Sequence, residues 1–173
     1  PTVTVNDELI CSGESTTLNA NPSLSGGTFL WSPNGEITQT INVSPTINSN
    51  YSIVYTLNGC SSPSATSTVT VNPLPTLSVN NESICLGSSA TLSAVPSITG
   101  GTFLWSPGGE VSESISVSPN VNADYEVVYT LNGCSSSIAT GTVTVNEIPT
   151  VTVNDELICS GESTTLTASP SLS

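Results

Sequence analysis

Residues 50–71 read NYSIVYTLNGCSSPSATSTVTV, and they carry the clearest structural signal in the chain. It holds two runs in which β-branched or aromatic residues alternate with polar ones, as in strands that bury one face. Asn58-Gly59 lies between the two runs, and this pair favours the type I′ turn whose twist matches that of the flanking strands. The stretch therefore predicts a β-hairpin.

The sequence around this hairpin recurs at a fixed period along the chain. Residues 1–74 and 75–148 agree at 46 of 74 positions when aligned without gaps, and residues 149–173 match residues 1–25 at 23 of 25 positions. A fixed internal period indicates one small fold strung in tandem rather than one large core. We therefore predict two full repeats, at 1–74 and 75–148, and the truncated start of a third repeat at 149–173.

Each repeat consists of short strand patterns separated by Gly, Pro, Asn and Ser, with no helical periodicity. This spacing predicts an all-β fold of tandem immunoglobulin-like antiparallel β-sandwiches, with about seven short strands each. Because only Pro73-Leu74-Pro75 links the first two repeats, we expect them to form a semi-rigid rod. The strands predicted in the first repeat are 2–6, 15–20, 28–32, 37–43, 50–56 and 65–71.

The aromatic residues are expected to anchor the cores. Trp31 and Phe29 lie on the same face of a strand by period two, and Trp105 and Phe103 repeat this pair. The open alternative for the two tryptophans is a platform on which carbohydrate rings stack. Two tyrosines, each opening the penultimate strand of its repeat where a tyrosine corner lies in related sandwiches, are expected to be structural: Tyr51 and Tyr125.

The five cysteines follow the same period. Cys11 and Cys60 are separated by the same interval as Cys85 and Cys134, and we expect each pair to form a structural disulfide within its own repeat. Such bonds imply an oxidising, extracellular compartment. Cys159 stands where a third pair begins, so we expect it to be unpaired because its partner would fall beyond Ser173. Metal-bound or reactive thiols are disfavoured, because neither CxxC spacing nor a cationic side chain accompanies these cysteines.

The charge composition excludes several classes of function. The chain has 13 acidic residues and no Lys, Arg or His, for a formal net charge of -13. Without cations it cannot neutralise phosphates, so we expect no nucleic-acid binding. Without His or Lys it lacks the usual partners that activate Ser or Cys nucleophiles, so we expect no enzymatic activity. No apolar run is long enough for a membrane span, so none is expected.

The acidic residues leave one cofactor to consider. We expect none to be required, and Ca²⁺ is the one candidate because carboxylates are its usual ligands. Glu36 and Glu110 recur at equivalent positions and are the candidate ligands, whereas Asp7 becomes Asn81 in the second repeat. The simpler interpretation is an acidic surface that keeps the chains soluble and mutually repelling.

The segments ICSG, FLWSP, SPTINSNYSIVYT, NGCSS and TVTVN, at 10–13, 29–33, 44–56, 58–62 and 68–72, together resemble a known repeat class. They are similar to the tandem Ig-like or PKD-like repeats of large Bacteroidota surface proteins, such as the type IX-secreted gliding-motility adhesins of the SprB type. The resemblance implies an extracellular fibre on a bacterial cell surface that carries a binding tip away from the cell. It implies no catalytic residues.

The leading hypothesis is a structural spacer repeat of an extracellular adhesin or surface filament, which supplies reach, stiffness and protease resistance. The alternative is a surface module that binds glycans through Trp31 and Trp105 or Ca²⁺ through the recurring acids. The expected partners are neighbouring repeats of the same chain. Other copies in a multi-chain filament are a further candidate partner, through edge strands rich in Thr and Val.

Overall fold

The computed structural model describes residues 1–171 and is all-β. No helix occurs among these residues, so none is long or apolar enough to cross a membrane. The predicted fold class, tandem immunoglobulin-like β-sandwiches, is confirmed. In the first repeat the strands are β1 (Val3–Val5), β2 (Glu8–Cys11), β3 (Thr16–Pro22), β4 (Thr28–Ser32), β5 (Thr40–Val43), β6 (Ser49–Leu57), β7 (Cys60–Ser61) and β8 (Ala65–Asn72).

The strands of the first repeat form two sheets that enclose one core. One sheet has the order β1-β3-β5, and the other has the order β2-β8-β6-β4 with the short β7 paired to β6. All the ladders are antiparallel except β2 with β8, which is parallel and places Cys11 opposite Asn72. This parallel pair comes from a strand that the sequence patterns did not predict, since Glu8–Cys11 buries only Ile10.

The chain passes from the first sheet to the second at Asn6-Asp7, and each side chain satisfies the backbone of a different sheet. Asn6 Oδ1 accepts a hydrogen bond from the backbone N–H of Asn19 in β3, at 2.8 Å. Asp7 Oδ1 accepts one from the backbone N–H of Thr68 in β8, at 2.7 Å. These two residues therefore divide what would be one edge strand into β1 and β2, because each holds the backbone of the sheet it faces.

The hairpin predicted from residues 50–71 is present. Asn58 and Gly59 have φ values of 51° and 78°, and the positive values at both central positions are those of a type I′ turn. The turn joins β6 to β7, after which the chain returns as β8, antiparallel to β6. The local prediction is therefore confirmed, although a two-residue strand and a short connection interrupt the second arm.

The core of the first repeat is built from side chains that alternate along these strands. Leu18, Trp31, Ile53 and Val69 are at most 1% exposed, and they come from both sheets. Burying each such side chain stabilises the fold by roughly 1.5–3 kcal/mol. Because both sheets contribute to one cluster, the sandwich depends on the register of each ladder.

The second repeat has the same architecture. Its sheets have the orders β13-β11-β9 and β10-β16-β14-β12, with β15 paired to β14. Leu92, Trp105, Val127 and Val143 occupy the positions of the four core residues named above and are equally buried. The strands are β9 (Leu77–Val79), β10 (Glu82–Cys85), β11 (Ala90–Pro96), β12 (Thr102–Ser106), β13 (Ser114–Val117), β14 (Ala123–Leu131), β15 (Cys134–Ser135) and β16 (Ala139–Asn146).

Two further strands follow, β17 (Val151–Val153) and β18 (Ala168–Pro170), which pair antiparallel with each other. The chain divides into two compact units. The first comprises Pro1–Thr76 together with Pro96–Thr102 and Tyr129–Ser137, and the second comprises the other described residues. The first unit therefore contains the whole first repeat together with the β11–β12 loop and the β14–β15 turn of the second. The domain boundaries at 74 and 148 remain a prediction.

Candidate functional site: the disulfide joint

The two tryptophans are buried and do not form a binding surface. Trp31 and Trp105 are each 1% exposed. Their indole Nε1–H groups donate hydrogen bonds of 2.9 Å to the backbone oxygens of Thr38 and Ser112. Since neither ring face is open to solvent, the sequence-based alternative of a carbohydrate-stacking platform is wrong.

The other expected anchors lie at the margins of the two cores. Phe29 and Tyr51 are partly buried against the first core, and Phe103 and Tyr125 lie in the same positions against the second. The ring of Phe29 also contacts that of Tyr55, with centroids 5.0 Å apart. These residues therefore widen the hydrophobic core of each repeat.

Tyr55 is a structural residue that the sequence patterns missed. It is 1% exposed, and its hydroxyl accepts a hydrogen bond from the N–H of Gly27 and donates one to the carbonyl of Leu24, both at 2.7 Å. A Cβ on Gly27 would lie only 2.4 Å from the oxygen of Thr56, so this position requires glycine. Tyr51, Ile53 and Tyr55 are two residues apart along one strand, which places all three on the core face. This alternation could have identified Tyr55 as a core residue from the sequence.

The acidic residues are dispersed over the part of the chain that the structure describes. Among residues 1–171 no group of three or more Asp, Glu, His or Cys side chains is placed to hold a metal ion. At the candidate positions, the backbone oxygens of Glu36 and Glu110 accept hydrogen bonds from the N–H groups of Trp31 and Trp105. These glutamates therefore recur within the turn that follows each tryptophan strand.

The change from Asp7 to Asn81 also has a structural reason. Asn81 Oδ1 accepts a hydrogen bond of 2.8 Å from the backbone N–H of Thr142, as Asp7 Oδ1 does from Thr68 in the first repeat. Either side chain supplies the required acceptor oxygen, so the negative charge is not needed for this contact.

The cysteines pair differently from the sequence prediction. Cys11 forms a disulfide with Cys134, with Cα atoms 5.6 Å apart, and the bond joins the first repeat to the second. Both residues belong to the first compact unit. Cys60 and Cys85 are free and exposed, so the expected Cys11–Cys60 and Cys85–Cys134 bonds within repeats are wrong. Cys159 is also free and exposed.

Strand direction explains this pairing. Because β2 is parallel to β8, Cys11 lies at the end of the sandwich where β8 finishes at Asn72. The antiparallel β6 begins at that end with Ser49 and finishes at the opposite end with Leu57, next to Cys60. The nine residues of β6 span roughly 26 Å at about 3.3 Å per residue. A disulfide needs Cα atoms within about 7 Å, so Cys11 and Cys60 cannot pair within one repeat.

In the second repeat the same turn reaches the first repeat. Asn132 and Gly133 have φ values of 50° and 81°, which define the same type I′ turn, and Cys134 follows directly. Asn72 Nδ2 donates a hydrogen bond of 3.2 Å to the backbone oxygen of Asn132. Cys134 is fully buried, whereas its counterpart Cys60 is exposed. We call these contacts of Cys11 and Asn72 with Asn132 and Cys134 the disulfide joint.

No protein-family model and no curated protein matches the chain. Solved structures of tandem immunoglobulin domains are similar to it in fold. A three-Ig segment of titin has a TM-score of 0.48 at 12% identity and covers 84% of this chain and 65% of the titin chain. Murine CEACAM1b has a TM-score of 0.43 at 15% identity and covers 84% of this chain and 100% of its own.

The N-terminal four Ig domains of Dscam1 have a TM-score of 0.37 at 11% identity. That match covers 82% of this chain, which spans 44% of the Dscam1 fragment. The class of protein follows from the sheets described above: the chain is a tandem array of immunoglobulin-like β-sandwiches.

Proposed function

We propose that the chain is a structural spacer of an extracellular adhesin or surface filament, whose task is to supply length, stiffness and resistance to proteases. The two repeats bury equivalent cores, and their recurring tryptophans and tyrosines serve packing. The absence of Lys and Arg removes the cleavage points of trypsin-like proteases. A disulfide forms and persists in oxidising compartments, which supports an extracellular location. The proposed role is not catalytic.

The observation that carries this proposal is the disulfide joint. A bond between Cys11 and Cys134 connects two repeats independently of the peptide linker at residues 73–75. When the chain is pulled from its ends, force passes from Cys11 directly to Cys134, and residues 12–133 are bypassed. Both repeats can then lose their folded structure without that segment being drawn out.

The limit on extension can be estimated from the chain length. With the bond intact only residues 1–11 and 134–173 can extend, which is 51 of the 173 residues. At about 3.5 Å per residue this amounts to roughly 180 Å, against roughly 600 Å for the reduced chain. A spacer with this bond therefore keeps its reach under loads that would lengthen an ordinary tandem of sandwiches several-fold.

Single-molecule force spectroscopy tests this role. The chain is held by its two ends and stretched with and without a reductant, and the final contour length is recorded. We expect roughly 180 Å before reduction and roughly 600 Å after it. The Cys134→Ser variant should show the longer value in both conditions. The Cys60→Ser variant is the matched control, since Cys60 occupies the same place in the first repeat but is free. Equal contour lengths in the two conditions would contradict the proposal.

A further inference from the structure

Two of the free cysteines are the counterparts, in the other repeat, of the two cysteines that form the disulfide. Cys85 lies one repeat period after Cys11 and is its counterpart in the second repeat. Cys60 lies one repeat period before Cys134 and is its counterpart in the first repeat. Both are exposed and free, whereas their counterparts are joined. The structure thus contains one completed disulfide joint and the separate halves of a second one.

The half that contains Cys85 has the same backbone as the completed joint. Cys85 lies opposite Asn146 in the parallel ladder of β10 and β16, as Cys11 lies opposite Asn72. The next residue, Leu86, donates its backbone N–H to the oxygen of Asn146 at 2.8 Å. The corresponding bond of the first repeat has the same length.

The half that contains Cys60 is also preformed. The φ values of Asn58 and Gly59, 51° and 78°, are close to the values of 50° and 81° at Asn132 and Gly133 in the completed joint. In both repeats the cysteine after the turn pairs with the last residue of the preceding long strand. Cys60 is free, and its backbone therefore has the geometry that Cys134 uses for bonding.

We propose that Cys85 and Cys60 are coupling sites for a second copy of this chain placed in tandem. Cys85 of one copy bonds to Cys60 of the next and reproduces the Cys11–Cys134 joint. The occupant follows from the sequence, since residues 149–173 match residues 1–25 at 23 of 25 positions. A copy that started at position 149 would therefore place nearly the same residues after the second repeat as residues 149–173 already do. The inference rests on the spacer function proposed above.

Each coupling is an oxidation of two thiols, and it requires a disulfide oxidant such as oxidised glutathione. The Cys85 thiolate attacks oxidised glutathione, forms a mixed disulfide and releases one reduced glutathione. The Cys60 thiolate of the next copy then attacks the Cys85 sulfur of that mixed disulfide and displaces the second glutathione. One protein disulfide and two glutathione thiols result, and the two protons lost by the cysteines end on the glutathione sulfurs.

The asparagine at the end of the long strand makes different contacts in the two repeats. Asn72 Nδ2 donates to the turn oxygen of Asn132 in the completed joint. Its counterpart, Asn146 Nδ2, donates to Ser83 Oγ at 2.7 Å within its own repeat. When a second copy arrives, the turn oxygen of its Asn58 is the equivalent acceptor. The joint in an array then has one disulfide and one amide hydrogen bond at every junction.

The test is a tandem protein in which residues 1–148 are followed directly by residues 1–173. In the test variant, Cys60 of the first copy and Cys85 of the second copy are replaced by Ser, which leaves one Cys85 and one Cys60 in the proposed order. In the control variant, Cys85 of the first copy and Cys60 of the second copy are replaced by Ser. The remaining Cys60 then lies in the first repeat of the tandem protein and the remaining Cys85 in its last full repeat. Cys159 of the second copy is replaced by Ser in both variants.

Each protein is refolded with oxidised glutathione and digested without reduction by a protease that cleaves after Glu. This cleavage places Cys60 on peptide 37–82 and Cys85 on peptide 83–110, so a crosslink is identified by mass. We expect the linked pair in the test variant and two free or glutathionylated peptides in the control. Unlinked peptides in the test variant, or equal linkage in both variants, would overturn the inference. Neither outcome would alter the contour-length test of the spacer function, which depends on Cys11 and Cys134 alone.

Discussion

Replacing Cys11 by Ser removes the covalent bond of the disulfide joint. The bond connects residues that are 123 positions apart in the sequence. In the chain-entropy model, a loop of this length destabilises the unfolded state by about 5 kcal/mol, and measured losses on removing a native disulfide are typically about 2–5 kcal/mol. The thiol left at Cys134 stays buried at little cost, because a free cysteine packs like a small hydrophobic side chain.

The assay is thermal unfolding, with circular dichroism in the far ultraviolet as the signal. For a chain of this length, a loss of about 5 kcal/mol lowers the Tm by roughly 10–20 °C. Cys85→Ser is the matched control, because Cys85 is the counterpart of Cys11 in the second repeat but forms no bond. The control should keep the Tm of the unmodified chain, and a reductant should lower that chain's Tm to the value of Cys11→Ser.

Tm values of Cys11→Ser and Cys85→Ser within about 2 °C of each other would contradict this prediction, since that corresponds to less than about 1 kcal/mol. An equal decrease in the Tm of Cys11→Ser and of the unmodified chain on adding a reductant would also contradict it, because that variant has no bond left to reduce. Either result would mean that the joint does not restrict the unfolded chain.

Three further predictions concern the core, a loop glycine and a hydrogen bond. Trp31→Ala should destabilise the first repeat by about 3–5 kcal/mol in urea unfolding, whereas Leu30→Ala, on the exposed face of the same strand, should cost less than about 0.5 kcal/mol. Gly27→Ala should lower the Tm by several degrees because its Cβ overlaps a backbone oxygen; an unchanged Tm would mean that the loop moves freely. Asp7→Asn should leave the urea midpoint unchanged, since Asn81 makes the same hydrogen bond in the second repeat, and a clear decrease would show that the charge matters.

Local sequence patterns predicted much of the fold because strands and tight turns depend on neighbouring residues. Alternation predicted β4 at its observed bounds, and Asn58-Gly59 predicted a turn whose φ values are both positive. Patterns missed Glu8–Cys11, because one buried residue in four gives no alternation to detect. Its place in the second sheet depends on Asp7 bonding to Thr68, which is 61 residues away. No short stretch of sequence contains both Asp7 and Thr68.

The tandem array of small β-sandwiches and the period of the five cysteines follow from local patterns in the sequence. Which of those cysteines meet depends on how the strands pair in three dimensions. Cys11 and Cys60 are separated by the same number of residues as Cys85 and Cys134, and this regular spacing predicted bonds within repeats. The parallel pairing of β2 with β8 instead places the two cysteines of a repeat at opposite ends of its sandwich. A covalent bond forms where two sulfurs meet in space, so the direction of one short strand makes the disulfide a link between repeats.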